Sequence, residues 1–461
     1  MENPAQSLSS PQYGWLAAVL PSSARRFRVT DEALASVLAD AGAEIVDADA
    51  DVEIAKPREL HAESPVAVVS LDASQPEGGG RVQRSLRRAG AAARVRLLAR
   101  RAASEVRGRG YPRVETMRWE LQQPLPLSGG LSRRPRLRAA EHLPQRALVV
   151  GSHRPIAPTV LEAVAAEAGG AHSSTFRYGR TIASARSIVA VGEDAVLRLT
   201  IGPARRSLEA QFRALEALRA ADPPAVVAAR VPWILSHGKL GLADWSLERR
   251  LPGDPHPARL PGRLLEDCVE LLVQLFQSGG AGPADGSIVR AAKTIAGVSE
   301  PENAARITSF GAEIEAELAE LPRGFAHGDF WNENLLTRKG RLVGVVDWDA
   351  AGPSSLPLID LIHLQLTALR WNTREYLGEG IARHLLPWAR AGGDELAQSY
   401  CQQAEISLGA RQLESLVMAY WLLYVARDLT TYADRTRRLP WMERNVQVLA
   451  RAISSSPSRA A

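Results

Sequence analysis

Residues Phe325–Leu336 read F-A-H-G-D-F-W-N-E-N-L-L, and residues Leu342–Asp349 read L-V-G-V-V-D-W-D. Asp329 is followed five residues later by Asn334, and Asp347 comes thirteen residues after that. The second stretch is apolar up to its first aspartate and reads as a short buried strand. A hairpin between Leu335 and Leu342 then lays the two segments side by side. This set of groups suits phosphoryl transfer. That reaction needs positioned reactants, metal ions to neutralise phosphate charge and a carboxylate near the nucleophile, with little covalent chemistry from the protein. Asp329 on a loop can accept or orient the proton of an acceptor hydroxyl. Asn334 offers a neutral amide oxygen to a hard cation, and Asp347 offers a carboxylate to the same ion. Magnesium takes oxygen ligands and keeps several waters, so one amide, one carboxylate and phosphate oxygens suffice.

The pattern resembles the aminoglycoside phosphotransferase and choline kinase superfamily, distant relatives of protein kinases. That family's signature is H-G-D-x-x-x-x-N, followed by an apolar strand that ends in a D-W-(D/E) or D-F-G-like step. His327, Gly328, Asp329 and Asn334 match it position by position, and Asp347 stands at the family's interval. The resemblance runs from about Gly151 to the C-terminus. It implies an α+β bilobal kinase-like fold, with a small antiparallel-sheet lobe over 151–252 and a helical lobe over 253–461. It implies Mg2+, held by Asn334 and Asp347, and ATP or GTP as co-substrate. The acceptor it implies is a small hydroxylated or amino-bearing molecule. His327 would hold the catalytic loop, and Asp329 would carry the chemistry. Asp360 reads as a structural cap or surface charge, and Asp349 as either a helper of Asp347 or a surface charge.

The nucleotide side departs from the family. Where the family writes V-L-K-hydrophobic, with the Lys gripping the triphosphate, this chain has Val196-Leu197-Arg198-Leu199. Arg is planar and bulkier than Lys, so the exchange is not conservative. Strand alternation puts Arg198 on the face opposite Leu197 and Leu199. Its acidic partner on the next helix is expected at Glu209, although alignment on Leu215 and Leu218 selects Gln211 instead. The run Leu247–Gly253 resembles the family's hinge, with backbone near Glu248 meeting the base. Thr181–Ser187 would be the phosphate-covering turn.

Around these motifs, helix and strand patterns follow from composition. Ser187–Val191 and Ala195–Thr200 read as strands joined by a tight turn at Gly192-Glu193-Asp194. Ser207–Ala220 and Arg263–Gln277 read as helices. Residues 1–150 alternate strand-like runs (Trp15–Leu20, Glu44–Val46, Val66–Leu71, Arg94–Leu98, Ala147–Val150) with helical ones, the first capped at Thr30. This alternation predicts an open α/β layer of unknown role, and the half resembles a Rossmann-type or methyltransferase-like domain. Gly78-Gly79-Gly80 before a helix over Arg81–Ala89 lacks the G-x-G-x-x-G spacing and reads as a turn. Gln122–Gln145, rich in Pro and Arg, reads as a linker.

Bulk composition bounds the function. The 461 residues suit two or three domains. Between Arg81 and Arg146 there are 17 Arg, no Lys and 4 Glu. No aromatic RNA-binding motif, zinc spacing or helix-turn-helix signature accompanies them, so nucleic acid is not expected as a partner. Cys268 and Cys401 form no framework, and no apolar run reaches membrane-spanning length, so a cytoplasmic protein is expected. An alternative to the small-molecule kinase is a catalytically weak, kinase-like nucleotide- or metabolite-binding protein that acts through its N-terminal domain.

Overall fold

The computed structural model describes residues 13–55, 59–61, 64–72, 91–119, 146–154, 156, 158–171, 178–183, 187–255, 260–279, 285–373, 375–431 and 439–455. The Gly78–Gly80 turn, the helix expected over Arg81–Ala89 and the whole Gln122–Gln145 linker lie outside them. So do the middle of the Thr181–Ser187 turn and part of the basic block. The chain divides into two compact units. One comprises the described residues up to Leu208 with Trp233–Arg250; the other comprises Glu209–Pro232 and the described residues from Leu251 on.

The first unit holds two sheets. Arg26–Val29 (β1), Glu44–Ile45 (β2), Val52–Ile54 (β3), Val66–Asp72 (β4), Arg113–Trp119 (β5) and Arg146–Ser152 (β6) form a six-stranded sheet in the order β2-β1-β3-β4-β6-β5. β1 to β4 run parallel, while β6 is antiparallel to both β4 and β5. The sheet is therefore mixed, and the Rossmann-type expectation finds no support in it. Glu32–Asp40 (α1) connects β1 to β2. Asp31, not Thr30, caps it, accepting the Leu34 N–H at 3.1 Å. Ala91–Gly108 (α2) replaces the strand expected over Arg94–Leu98; its Ala, Arg and Leu are strong helix formers that outweigh a short apolar run.

The second sheet contains Tyr178–Ala183 (β7), Ser187–Gly192 (β8), Ala195–Ile201 (β9), Ile234–Leu240 (β10) and Ala243–Arg249 (β11). It is antiparallel throughout, in the order β10-β11-β9-β8-β7. The last hairpin turns at Gly241, φ +58°. Both sheets share one apolar core, in which Leu16, Leu20, Phe27 and Val68 pack with Ile188, Leu197, Leu199 and Trp245. Trp15–Leu20, expected as a strand, overlaps a 3-10 turn at Gly14–Ala18, and Leu16, Val19 and Leu20 serve this core. Val160–Ala171 (α3) contributes Val160, Leu161 and Val164 to it. β6 crosses the boundary expected at residue 150, because the inner face of the antiparallel sheet takes its cover from the N-terminal elements.

The second unit is mainly helical. The later part of Arg205–Ala220 (α4) belongs to it, with Gly262–Gln277 (α5), Ser287–Ala296 (α6), Pro301–Glu317 (α7), Ile359–Thr373 (α8), Glu395–Gln403 (α9) and Ala410–Thr431 (α10). Asp254–Pro255 (β12), Leu335–Arg338 (β14) and Arg341–Val345 (β15) form a small sheet, and Gly324–Ala326 (β13) pairs with Gly352–Ser355 (β16). Arg341 is locked to the buried Asp267 of α5 at 2.6 Å, and Asp267 also accepts the Leu342 N–H at 3.0 Å. That pairing fixes the hairpin that leads to Asp347. Among the described residues no helix is long and apolar enough to cross a membrane.

Candidate active site

The site grows from the bend after β13. Gly328 has φ +74°, and a Cβ there would collide with the Ala350 carbonyl oxygen, so only glycine fits. The bend is pinned from below by Asp360, at the start of α8. Its Oδ2 accepts the His327 N–H at 2.7 Å and its Oδ1 accepts the Gly328 N–H at 2.8 Å. Burial holds the Asp360 carboxyl up at about 6, against those two hydrogen bonds. The structural reading of Asp360 is thus sharpened: it clamps the loop that carries Asp329.

His327 is fully buried, with its ring 4.6 Å from that of Trp348. Nδ1 accepts the Asp329 N–H at 3.3 Å, which leaves the proton on Nε2, where it is donated to the Val346 carbonyl at 3.1 Å. Burial pushes the imidazole down to about 4, so it is neutral near pH 7. The ring therefore ties the loop to the strand end.

Asn334 donates from Nδ2 to the Asp329 carbonyl at 2.9 Å and to Asp329 Oδ2 at 3.2 Å. With the nitrogen so engaged, the amide oxygen is the atom left to meet a cation. The Val346 N–H donates to the Asn334 carbonyl at 2.9 Å, which sets Asp347 beside Asn334. Asp347 has φ +70°, a left-handed conformation that is strained for a residue bearing a Cβ.

Three further residues, Arg427, Tyr424 and His363, surround Asp329. Arg427 of α10 donates from Nη2 to Asp329 Oδ1 at 2.9 Å and from Nη1 to the Gly328 carbonyl at 2.8 Å. The Tyr424 hydroxyl donates to that carbonyl at 2.5 Å, and the guanidinium lies 4.3 Å from the Tyr424 ring centre. His363 Nε2 is 3.5 Å from Asp329 Oδ1, and its Nδ1 pairs with the Tyr420 hydroxyl at 2.8 Å. Burial, with Arg427 adding to it, holds His363 well below its ordinary range. Tyr420, Tyr424 and Arg427 recur at helical spacing, so they share a face of α10. Tyr420 and Tyr424 are buried, as core packing over Met418–Tyr424 requires, but their polar tips serve the site.

On the antiparallel sheet, Arg198 and Ser246 are register partners across β9 and β11. Leu197 and Leu199 enter the core, and Arg198 lies on the other face, as alternation requires. Its acidic neighbour is Glu248, with Arg198 Nε 3.4 Å from Glu248 Oε1; Ser246 donates to the same oxygen at 3.0 Å. The partner expected at Glu209 is thus found at Glu248, whose side chain, not only its backbone, is in play. On α4, Glu209 is exposed while Gln211 is 1% exposed, and the Gln211 amide nitrogen has no hydrogen-bond partner among the described residues. The helix turns Gln211 inward, as alignment on Leu215 and Leu218 selects.

The model of the phosphotransferase enzyme family matches residues 179–400. No curated protein matches the chain. Similar solved structures include the apo form of a thermostable mutant of aminoglycoside phosphotransferase APH(4)-Ia, at 18% identity and TM-score 0.39, covering 59% of this chain and 92% of that one. The streptomycin–ATP–APH(2'')-IIa ternary complex is 12% identical with TM-score 0.44, covering 65% and 99%. APH(3'')-Id from Streptomyces rimosus, with ADP and streptomycin, is 16% identical with TM-score 0.38, covering 57% and 95%. Residues 179–400, the segment that carries His327, Asp329, Asn334 and Asp347, belong to the phosphotransferase enzyme family.

Proposed function

We propose that the protein moves the γ-phosphoryl group of ATP or GTP to a hydroxyl of a small molecule. The observation that carries this reading is the setting of Asp329. Arg427 holds one carboxylate oxygen and Asn334 the other, on a loop clamped by Asp360 and His327. Such a carboxylate is positioned and keeps lone pairs for an incoming hydroxyl. As the acceptor oxygen bonds to the γ-phosphorus, the bond from that phosphorus to the bridging oxygen breaks. The hydroxyl proton passes to Asp329 and the nucleoside diphosphate leaves with the bridging oxygen.

The donor set fits a magnesium ion. Asn334 turns its amide oxygen away from Asp329, and Asp347 adds a carboxylate beside it; both are hard oxygen ligands. Among the described residues no group of three or more His, Cys, Asp or Glu forms a metal cage, consistent with an ion that takes its other ligands from phosphate and water. Bound there, magnesium would neutralise phosphate charge. Arg198 is our candidate for the triphosphate contact, with Glu248 orienting its guanidinium. The same pair supports a second reading, a weak catalyst that binds nucleotide, because Glu248 already neutralises the cation. Transfer of labelled γ-phosphate to a pool of hydroxylated small molecules tests the first reading against the second.

A further inference from the structure

The helix α2 has one face inside its domain and one outside. Ala99, Ala102, Ala103 and Val106 pack into an apolar cluster with Ala67, Val69 and Tyr111. Arg100, Arg101, Ser104 and Arg107 lie on the other side and are exposed. The helix contains a single acid, Glu105, which pairs with Arg101 at 3.0 Å. Arg100 and Arg107 have no acidic partner among the described residues. Arg109, just past the helix, donates to the Leu60 carbonyl at 2.8 Å, next in the chain to Glu59, and is not part of this face.

Spacing extends the face along the helix. Arg96, Arg100 and Arg107 stand four and seven apart, and Arg94 and Arg101 stand seven apart. Both intervals return to the same side of a helix, so α2 carries arginine positions in two rows, the longer about 16 Å from end to end. The strip lies inside the Arg81–Arg146 block, which has 17 Arg against 4 Glu. The whole chain is only +5, so the remaining residues are together net negative. An ordinary solvated surface intersperses both signs, whereas a concentration of one sign draws polyanions.

TwO kinds of polyanion are common, a nucleic acid and an anionic membrane surface. A helix that lies on a membrane sinks its apolar face into the lipid. The apolar face of α2 is already spent on the domain's own core. Single strands are held by stacking bases on aromatic side chains, and Arg100, Arg101, Ser104 and Arg107 offer none. Motifs that read bases are missing from the sequence, but phosphate contacts need none of them. The guanidinium fork matches phosphate oxygens in pairs.

We propose that the outward face of α2 binds the phosphate backbone of a double-stranded nucleic acid without regard to base sequence. The inference does not depend on phosphoryl transfer, and its test reads binding alone.

The test is fluorescence anisotropy of labelled duplex DNA and duplex RNA, each in two unrelated sequences, titrated with the full chain. Saturable binding to at least one duplex is expected, weakening roughly ten- to a hundredfold between about 50 and about 200 mM salt. Arg100→Gln/Arg107→Gln should weaken binding by about tenfold and flatten the dependence of log affinity on log salt by about two. Arg290→Gln/Arg451→Gln removes the same charge from exposed positions in the other unit and should change affinity less than about twofold. Vesicles of phosphatidylserine and phosphatidylcholine are the rival polyanion. If a variant fails to fold, the wild-type salt slope and the vesicle comparison decide. No duplex binding at about 50 mM salt with protein near 100 μM, or a preference above about tenfold for one base sequence, would overturn the proposal. So would equal losses in the two double variants, or vesicle binding as tight as duplex binding.

Discussion

The guanidinium of Arg427 donates to Asp329 Oδ1 at 2.9 Å and, from its other terminal nitrogen, to the Gly328 carbonyl at 2.8 Å. One side chain thus fixes both the Asp329 carboxylate and the bend that presents it. Hydrogen bonds to charged groups contribute about 1.5–3 kcal/mol. Arg427→Met keeps much of the apolar stem and removes both bonds. We expect kcat to fall on the order of tenfold to a hundredfold with nucleotide KM little changed, because Asp329 loses its aim. Arg427→Lys, which keeps one charged donor, should recover part of the loss. Unchanged kcat in Arg427→Met would make the ion pair incidental.

The buried imidazole of His327 leads to a pH signature. Its value is pushed down from 6.5 to about 4, so the folded protein stays neutral there while the unfolded chain takes up a proton. The stability it supplies is complete above about 6.5 and is lost as pH falls through about 4, amounting to about 3 kcal/mol. Asp360 acts in the opposite sense. Its carboxyl is held at about 6 instead of 3.8, so its contribution is complete below 3.8 and is lost as pH rises through 6. The two slopes oppose each other between about 4 and 6. In His327→Asn only the Asp360 slope remains of this pair. The gap in unfolding free energy between wild type and His327→Asn should therefore shrink as pH falls from about 7 to about 4.5. A gap independent of pH would contradict the neutral, buried assignment.

Arg198 and Glu248 form a largely buried pair, with side chains 17% and 5% exposed. Arg198→Ala takes the cation away from a buried carboxylate and should cost about 3 kcal/mol or more, read by chemical denaturation. Arg198→Lys keeps the charge and should preserve nucleotide binding and turnover, as the proposed triphosphate role requires. If Arg198→Lys and Arg198→Ala bind nucleotide as wild type does, Arg198 is structural only.

Asp347 holds a strained backbone, φ +70°, which glycine adopts freely. Asp347→Gly should therefore melt no lower than wild type, with a backbone gain of up to about 1 kcal/mol set against the lost side chain. Magnesium-dependent nucleotide binding should disappear in the same variant. Calorimetry with and without magnesium reads the second effect, and an unchanged magnesium dependence would assign the ion to other residues.

The sequence displayed the centre of the site because its parts are close in the chain. His327, Gly328, Asp329, Asn334 and Asp347 sit on one bend and one hairpin, and their spacing alone implies their juxtaposition. Arg427 and Tyr424 reach the same bend from nearly a hundred residues away, and only the packing of α10 brings them there. Asp360 looked like an ordinary cap for the same reason: its partners lie in the preceding loop, not in its own helix. Glu248 was legible as a hinge residue, but its pairing with Arg198 depends on the register between β9 and β11, strands far apart in the chain. Short apolar runs misled most. Trp15–Leu20 and Arg94–Leu98 read equally well as strand or helix until length and tertiary cover decide.

The central claim is that Asp329 carries phosphoryl transfer to a hydroxyl acceptor. The most direct measurement follows radiolabelled γ-phosphate from ATP or GTP into a library of hydroxylated small molecules, with wild type and Asp329→Asn in parallel. The amide keeps the volume and a place for Asn334 but gives up the charge that takes the proton. The account expects wild type to form a labelled, acceptor-dependent product, and Asp329→Asn to bind nucleotide comparably while its transfer falls by at least about a hundredfold. Transfer at the wild-type rate by Asp329→Asn, or no acceptor-dependent product from wild type with either nucleotide, would contradict it.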